Sequence, residues 1–122
     1  MKEWIVEFDG EFIEDFEGFP EAVQDALLAA TRLLKKHGPN LGRPQADTLN
    51  DSKHSNMKEL RFDADKGVWR AAFAFDPERK AIILVAGDKA GVSQKKFYKQ
   101  LIKKADSRLE KHLENLKEKN NG

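Results

Sequence analysis

MKELRFDADKGVWRAAFAFDPERKAIILVAGDK, running from Met57 to Lys89, holds three apolar-rich runs parted by two clusters of turn formers. Met57 to Phe62 and Val68 to Phe75 flank Asp63-Ala-Asp-Lys-Gly67, a hairpin signal that ends in glycine. Asp76-Pro-Glu-Arg79 closes the second run with a proline turn, and Ala81 to Ala86 resumes in Ile, Ile, Leu and Val. The reading is a three-strand antiparallel meander.

Side chains alternate across a strand, so Leu60 and Phe62 share one face and Glu59 and Arg61 the other. Trp69, Ala71, Phe73 and Phe75 form the bulky face of the next strand and are assigned to the core, with Val68, Arg70, Ala72 and Ala74 opposite. Pairing Phe62 with Trp69 sets Leu60 against Ala71 and places Arg61 beside Arg70. Like charges across a ladder are unfavourable, so the chain either tolerates a cost there or uses the pair to hold an anion. Continuing the meander brings Ala86 near Trp69, and Lys89 reaches the arginines only if the sheet exit curls back.

Outward from the meander, Trp4 to Phe8 reads as a strand added to the sheet, and Glu11 to Phe16 as a brief helix. Phe19 to His37 carries an apolar stripe at helical spacing, with Pro20 in the first turn, basic residues in the last and Gly38-Pro39 as the stop. Asn40 to Asn56 is rich in Pro, Gly, Asn, Asp and Ser, which predicts a long loop with a turn of helix around Asp47 to Leu49. Arg43, Lys53 and His54 are its candidate binding groups. Ser93 caps a helix running to about Lys117, with Phe97, Leu101, Ala105, Leu109, Leu113 and Leu116 in one row and the last residues frayed. The expected class is α+β: an antiparallel sheet of the N-terminal strand and the meander, packed by two N-terminal helices and a long C-terminal one.

At 122 residues the chain is read as one domain, 1–122. Charged residues make up 35% and no apolar run approaches the ~20 residues of a membrane span, so a soluble, cytoplasmic protein is expected. The absence of cysteine removes disulfide and thiolate chemistry, and His37, His54 and His112 lack ligand spacing, so neither metal nor cofactor is expected. Residues 1–51 hold 5 basic and 11 acidic side chains, whereas residues 52–122 hold 17 and 10. That asymmetry points to an anionic partner or to solvated faces of different charge. Asp63-Ala-Asp-Lys-Gly67 is too short for a calcium loop, and Gly87-Asp-Lys-Ala-Gly91 lacks the Gly-Lys-Ser/Thr of a phosphate loop. What survives is a basic, partly aromatic surface of Lys53, Lys58, Arg61, Arg70, Lys89, Lys95, Lys96 and Tyr98. Arginine forks onto phosphate, lysine supplies a mobile charge and tyrosine can stack on a base. For Lys95 and Lys96 a solvated helix face accounts equally for the charge, and for Tyr98 packing against the sheet does.

Several motifs in this order resemble the RelE/HigB superfamily of toxins, in particular its phage-derived, HigB-like branch. They are Leu41-Gly-Arg-Pro44, Leu49-Asn-Asp-Ser-Lys53, Asn56-Met-Lys-Glu-Leu-Arg61, Trp69-Arg70, Phe73-Ala-Phe-Asp-Pro77, Gly87-Asp-Lys89 and Phe97-Tyr98, spanning about residues 41 to 110. The resemblance implies a small α/β sandwich, metal-independent cleavage of messenger RNA in the ribosomal A site, and a neighbouring helix-turn-helix (HigA/Xre-like) antitoxin as partner. It implies Arg61 as a phosphate ligand, Arg70 as a second cation and Lys89 as a proton-transfer or transition-state group, with Lys53, Lys58, Lys95, Lys96 and Tyr98 on the RNA. Asp88-Lys89 stands where many relatives carry arginine or histidine, so the acid and base roles stay open. A catalytically silent module that binds an antitoxin or RNA is the alternative, and a nuclease acting on free RNA a third.

Overall fold

The computed structural model describes residues 2–121. Its elements run β1 (Val6–Phe8), α1 (Gly10–Glu17), α2 (Glu21–His37), a 3-10 turn (Gly38–Asn40), β2 (Ala46–Thr48), β3 (Lys58–Ala64), β4 (Gly67–Phe75), β5 (Ala81–Asp88) and α3 (Gln94–Asn121). The five strands form one sheet in the order β1-β5-β4-β3-β2. This is the α+β architecture that the sequence predicts, with four differences of detail.

The sheet is mixed, because β1 lies parallel to β5 (Val6 against Ala81, Phe8 against Ile83). With α1 and α2 between them, β1 and the meander are far enough apart in sequence for either direction, and pattern alone leaves that choice open. Second, the long loop contains a strand. Ala46–Thr48 pairs antiparallel with β3, and Asp47 and Thr48 are extended where a turn of helix was expected. Ala46 is buried against Leu60, and that contact outweighs the local turn composition.

Third, the hairpin register holds as read, with Phe62 opposite Trp69, Leu60 opposite Ala71 and Arg61 opposite Arg70, but the next turn shifts β5 by two residues. Asp76 N–H donates to the Lys80 carbonyl, so the turn is one residue longer than its Asp-Pro core, and a bulge at Ala72/Phe73 adds another. Asp88, not Ala86, therefore faces Trp69, and Gly87 faces Arg70.

Fourth, both faces of the sheet are core. Leu60, Ala71, Phe73, Ala81 and Ile83 pack with Phe12, Leu27 and Leu34 of α1 and α2. Ala72, Ala74, Ile82 and Leu84 pack with Phe97, Leu101, Ala105 and Leu109 of α3. A strand buried on both sides reads as a continuous apolar run, as Ala81 to Ala86 does. The Arg61–Arg70 face consequently lies under α3 rather than in open solvent. Ser93 caps α3 as expected, its hydroxyl accepting from Lys96 N–H at 3.3 Å, and the helix extends to Asn121, beyond the expected end near Lys117. Arg108 pins α3 across the molecule, donating to the Leu84 carbonyl at 2.7 Å and to Asp15 of α1 at 2.8 Å.

Candidate functional site

Alternation along β3 puts Glu59 and Arg61 on the α3 side of the sheet, and the hairpin register sets Arg70 beside Arg61. Glu59 answers the like-charge problem this creates. Its carboxylate is 5% exposed and lies 3.7 Å from Arg61 Nε through one oxygen and 3.7 Å from Arg70 Nε through the other. Those separations give Coulombic attraction but no hydrogen bond, and both Nε–H groups are buried without any hydrogen-bond partner. Unpaired buried donors are costly, and two of them on neighbouring guanidiniums leave hydrogen-bonding capacity unused beside Glu59. Arg70 is otherwise fixed by donating from Nη1 to the Trp69 carbonyl at 2.9 Å.

Tyr98 of α3 completes the cluster by donating its hydroxyl to Glu59 at 2.8 Å. Burial first, and then the hydrogen bond and charge of Glu59, push the phenol above its ordinary range, so it stays protonated at neutral pH. The ring packs edge-on against Phe97 at 5.2 Å between centroids. Phe97 in turn comes close to β5 because Gly87 has no side chain: a Cβ there would lie 3.2 Å from the Phe97 ring.

Lys89 approaches from the end of β5. Asp88 accepts from Val68 N–H at 3.0 Å and Ala90 N–H at 2.9 Å, and Lys89 N–H donates to the Val68 carbonyl at 2.8 Å, which carries the β4–β5 ladder one residue past Asp88. The ammonium sits 6.0 Å from the Tyr98 ring centroid, on the cluster's margin.

Between α3 and the segment leading into β3 opens a groove of about 1140 Å³, with Glu59, Arg61 and Tyr98 in its lining. Of the expected site residues, Arg70 and Lys89 are outside the groove's lining, and Lys53, Arg61, Lys95 and Tyr98 line it. Lys58 and Lys96 do not: the Lys58 ammonium donates to the Pro39 carbonyl at 3.3 Å, and Lys96 is exposed elsewhere on α3. The loop side is held to α3 by Asp106, which accepts from the Ser52 hydroxyl at 2.5 Å and from Lys53 N–H at 3.2 Å, and by His54 beside Glu110 at 3.1 Å. Arg43 pairs with Asp47 at 2.8 Å, and this bond, helped by Thr48 N–H, holds the Asp47 carboxyl below its ordinary range. Among the described residues, no group of three or more His, Cys, Asp or Glu is disposed to hold a metal ion. None of the helices there is long and apolar enough to cross a membrane.

Sequence reading missed Glu59 as a site residue, although its alternation with Arg61 was visible. It also passed over Lys99 and Lys103, which line the groove beyond Lys95. Their spacing of four residues on one helix was the available signal.

The fold is that of RelE-type proteins. A free-state mutant of Escherichia coli toxin RelE superposes with a TM-score of 0.58 at 9% identity, over 82% of this chain and 94% of the other. A chain of the archaeal RelE–RelB complex from Pyrococcus horikoshii OT3 superposes with a TM-score of 0.51 at 15% identity, over 73% of this chain and 98% of the other. The family model described as "Phage derived protein Gp49-like" matches residues 14–110. Two Mycobacterium tuberculosis proteins that carry the toxin names HigB2 and HigB3 are 42% identical over 97 residues and 48% identical over 93. Those matches cover 79% and 74% of this chain; it spans about half of the first relative's length (48%) and 79% of the second's. The chain belongs to the Gp49-like family, of HigB/RelE toxin type.

Proposed function

We propose that this chain is the toxin of a type II toxin–antitoxin pair and acts as an endoribonuclease on messenger RNA in the ribosomal A site. One observation carries the reading: two guanidiniums on adjacent strands each keep a buried Nε–H unbonded, with a carboxylate between them and a tyrosine holding that carboxylate; Arg61, Glu59 and Tyr98 line the open groove, and Arg70 is buried beside Arg61. Breaking an RNA backbone by its own 2′-hydroxyl requires a proton acceptor, cations for the crowded phosphorus and a proton donor for the leaving oxygen. Glu59 takes the proton from the 2′-hydroxyl as the O2′–P bond forms. Arg61, which lines the groove, donates to the non-bridging oxygens, and Arg70, buried beside it, adds its positive charge. The P–O5′ bond breaks, and Lys89 gives O5′ its proton. The products are a 2′,3′-cyclic phosphate and a 5′-hydroxyl. Tyr98, kept protonated, positions Glu59 and offers its ring to a base. Lys53 and Lys95 hold flanking phosphates from the groove lining, of which Lys58 and Lys96 are not part.

A ribosomal substrate places the protein in the cytoplasm, as a single domain over the residues it spans. The toxin names of its relatives and the fold shared with the RelE–RelB complex support an antitoxin partner; the family resemblance makes it one of helix-turn-helix type. The test is translation in a purified bacterial system followed by primer extension on the message. Cleavage within codons should appear with the native chain and vanish with Arg61→Ala/Arg70→Ala; cleavage that persists in that folded variant refutes the assignment. A second reading draws on Glu59 itself, since a carboxylate between two guanidiniums occupies the place a phosphate would take. A chain that captures its antitoxin yet cleaves nothing, on ribosomes or as free transcript, would support such a silent module.

A further inference from the structure

The groove's acidic and basic side chains are not matched alike. Among the described residues, Asp47 is paired with Arg43, Glu59 lies between Arg61 and Arg70, Asp106 accepts from Ser52 and Lys53 N–H, and Glu110 meets His54. Of the groove's acids only Asp51 is without such a partner. On the facing wall, Lys95, Lys99 and Lys103 of α3 are exposed, line the groove and have no carboxylate within 4.0 Å among the described residues. They stand at i, i+4 and i+8, a spacing at which like charges weaken a helix. Nothing in the fold requires them, because the buried side of α3 is formed by Phe97, Leu101, Ala105 and Leu109.

We propose that Lys95, Lys99 and Lys103 form a phosphate-binding row that holds single-stranded RNA along α3, so that the substrate is engaged as a run of nucleotides beyond the scissile bond. The proposal rests on the ribonuclease reading and deepens it. A helix rises about 1.5 Å per residue, so the row extends roughly 12 Å, about three to four nucleotides of stacked strand. It is continuous with Arg61 through the shared groove. RNA suits it better than an acidic protein, because the row offers regularly spaced charge with no exposed apolar side chain among the groove-lining positions of α3: Ile102 is the only aliphatic one and is buried.

The experiment uses the full chain and a fluorescent, uncleavable 2′-O-methyl RNA of twelve nucleotides, with a dinucleotide of the same chemistry beside it. Each phosphate contact on a single strand contributes about 0.7 to the slope of log affinity against log salt. Lys99→Gln/Lys103→Gln should lower that slope by about 1.4 and weaken twelve-nucleotide binding roughly 25-fold at 0.1 M salt, through about fivefold per contact. Lys99→Arg/Lys103→Arg should keep the native slope, and Arg32→Gln/Lys36→Gln, on the opposite helical layer, should leave binding unchanged. The proposal is overturned if the glutamine variant binds the long strand within twofold of the native chain, or if the native chain fails to bind it at 50 mM salt. It is also overturned if the native chain prefers polyglutamate of equal charge, which would assign the row to an acidic protein. Native binding by the row without cleavage on ribosomes would refute the ribonuclease reading alone; cleavage with no loss in the glutamine variant would refute the row alone.

Discussion

Replacing Arg70 by methionine keeps the apolar stem and removes the charge from a site only 7% exposed. The partner left behind is Glu59, itself buried, 3.7 Å from Arg70 Nε. Breaking a buried ion pair by deleting one member costs about 3–5 kcal/mol, because a charge remains without its counterion. The full amount is not due here, since Arg61 stays 3.7 Å from the same carboxylate and the Tyr98 hydroxyl still donates to it. About 2 kcal/mol is expected for Arg70→Met. Glu59→Gln alone leaves two guanidiniums side by side with no anion and should cost about 1–2 kcal/mol. The two together should cost about 1 kcal/mol less than Arg70→Met alone, because a neutral amide still accepts the Tyr98 hydrogen bond and needs no counterion. Urea unfolding reads all three variants at constant slope. With a slope of about 1.5 kcal/mol per molar, Arg70→Met should lower the midpoint by roughly 1.3 M and the double variant by roughly 0.7 M. Free energies that simply add to within ~0.5 kcal/mol, or an Arg70→Met midpoint at the native value, would show that the carboxylate does not hold the two cations together.

Tyr98 is the chain's only tyrosine, so phenolate absorbance in a pH titration reports it alone, with a midpoint above that of a free tyrosine. The folded state keeps a proton that the unfolded state releases, so this group's contribution to stability is complete below about pH 10 and declines as pH rises through the folded value. Asp76→Ala removes a fully buried carboxylate that accepts from Glu78 N–H and Lys80 N–H, each at 2.9 Å, and meets His112 at 2.9 Å; a loss of about 2–3 kcal/mol in thermal or urea unfolding is expected. Gly67→Ala places a Cβ 2.5 Å from Asp88 Oδ2 and 2.8 Å from Trp69 Nε1, so the carboxylate whose Oδ1 holds Val68 and Ala90 N–H must shift; stability should fall by about 1–2 kcal/mol and cleavage severalfold as Lys89 is displaced. Gly10→Ala, where a Cβ meets nothing within 4 Å, is the matched control and should leave the unfolding midpoint at or above native.

What sequence carries and what it withholds separate along a physical line. Alternation has a period of two and is indifferent to distant contacts, so the β3–β4 register and the Arg61–Arg70 adjacency follow from residues 57–75 alone. The direction of β1, the strand at Ala46–Thr48 and the two-residue shift of β5 depend on packing across the chain, and turn chemistry at Asp76 does not reveal whether Lys80 joins the strand or the loop. The site divides in the same way. Residue type singled out the cations, because arginine and lysine advertise phosphate binding by themselves. Glu59 does not advertise itself, since an exposed glutamate in a strand is ordinary. Its role arises only when α3 crosses above it, brings Tyr98 within 2.8 Å and takes the carboxylate out of water. Burial turns an unremarkable side chain into the group that sets how close two guanidiniums can stand, and burial on the second face of a sheet is the property a strand pattern with one assigned core face cannot express.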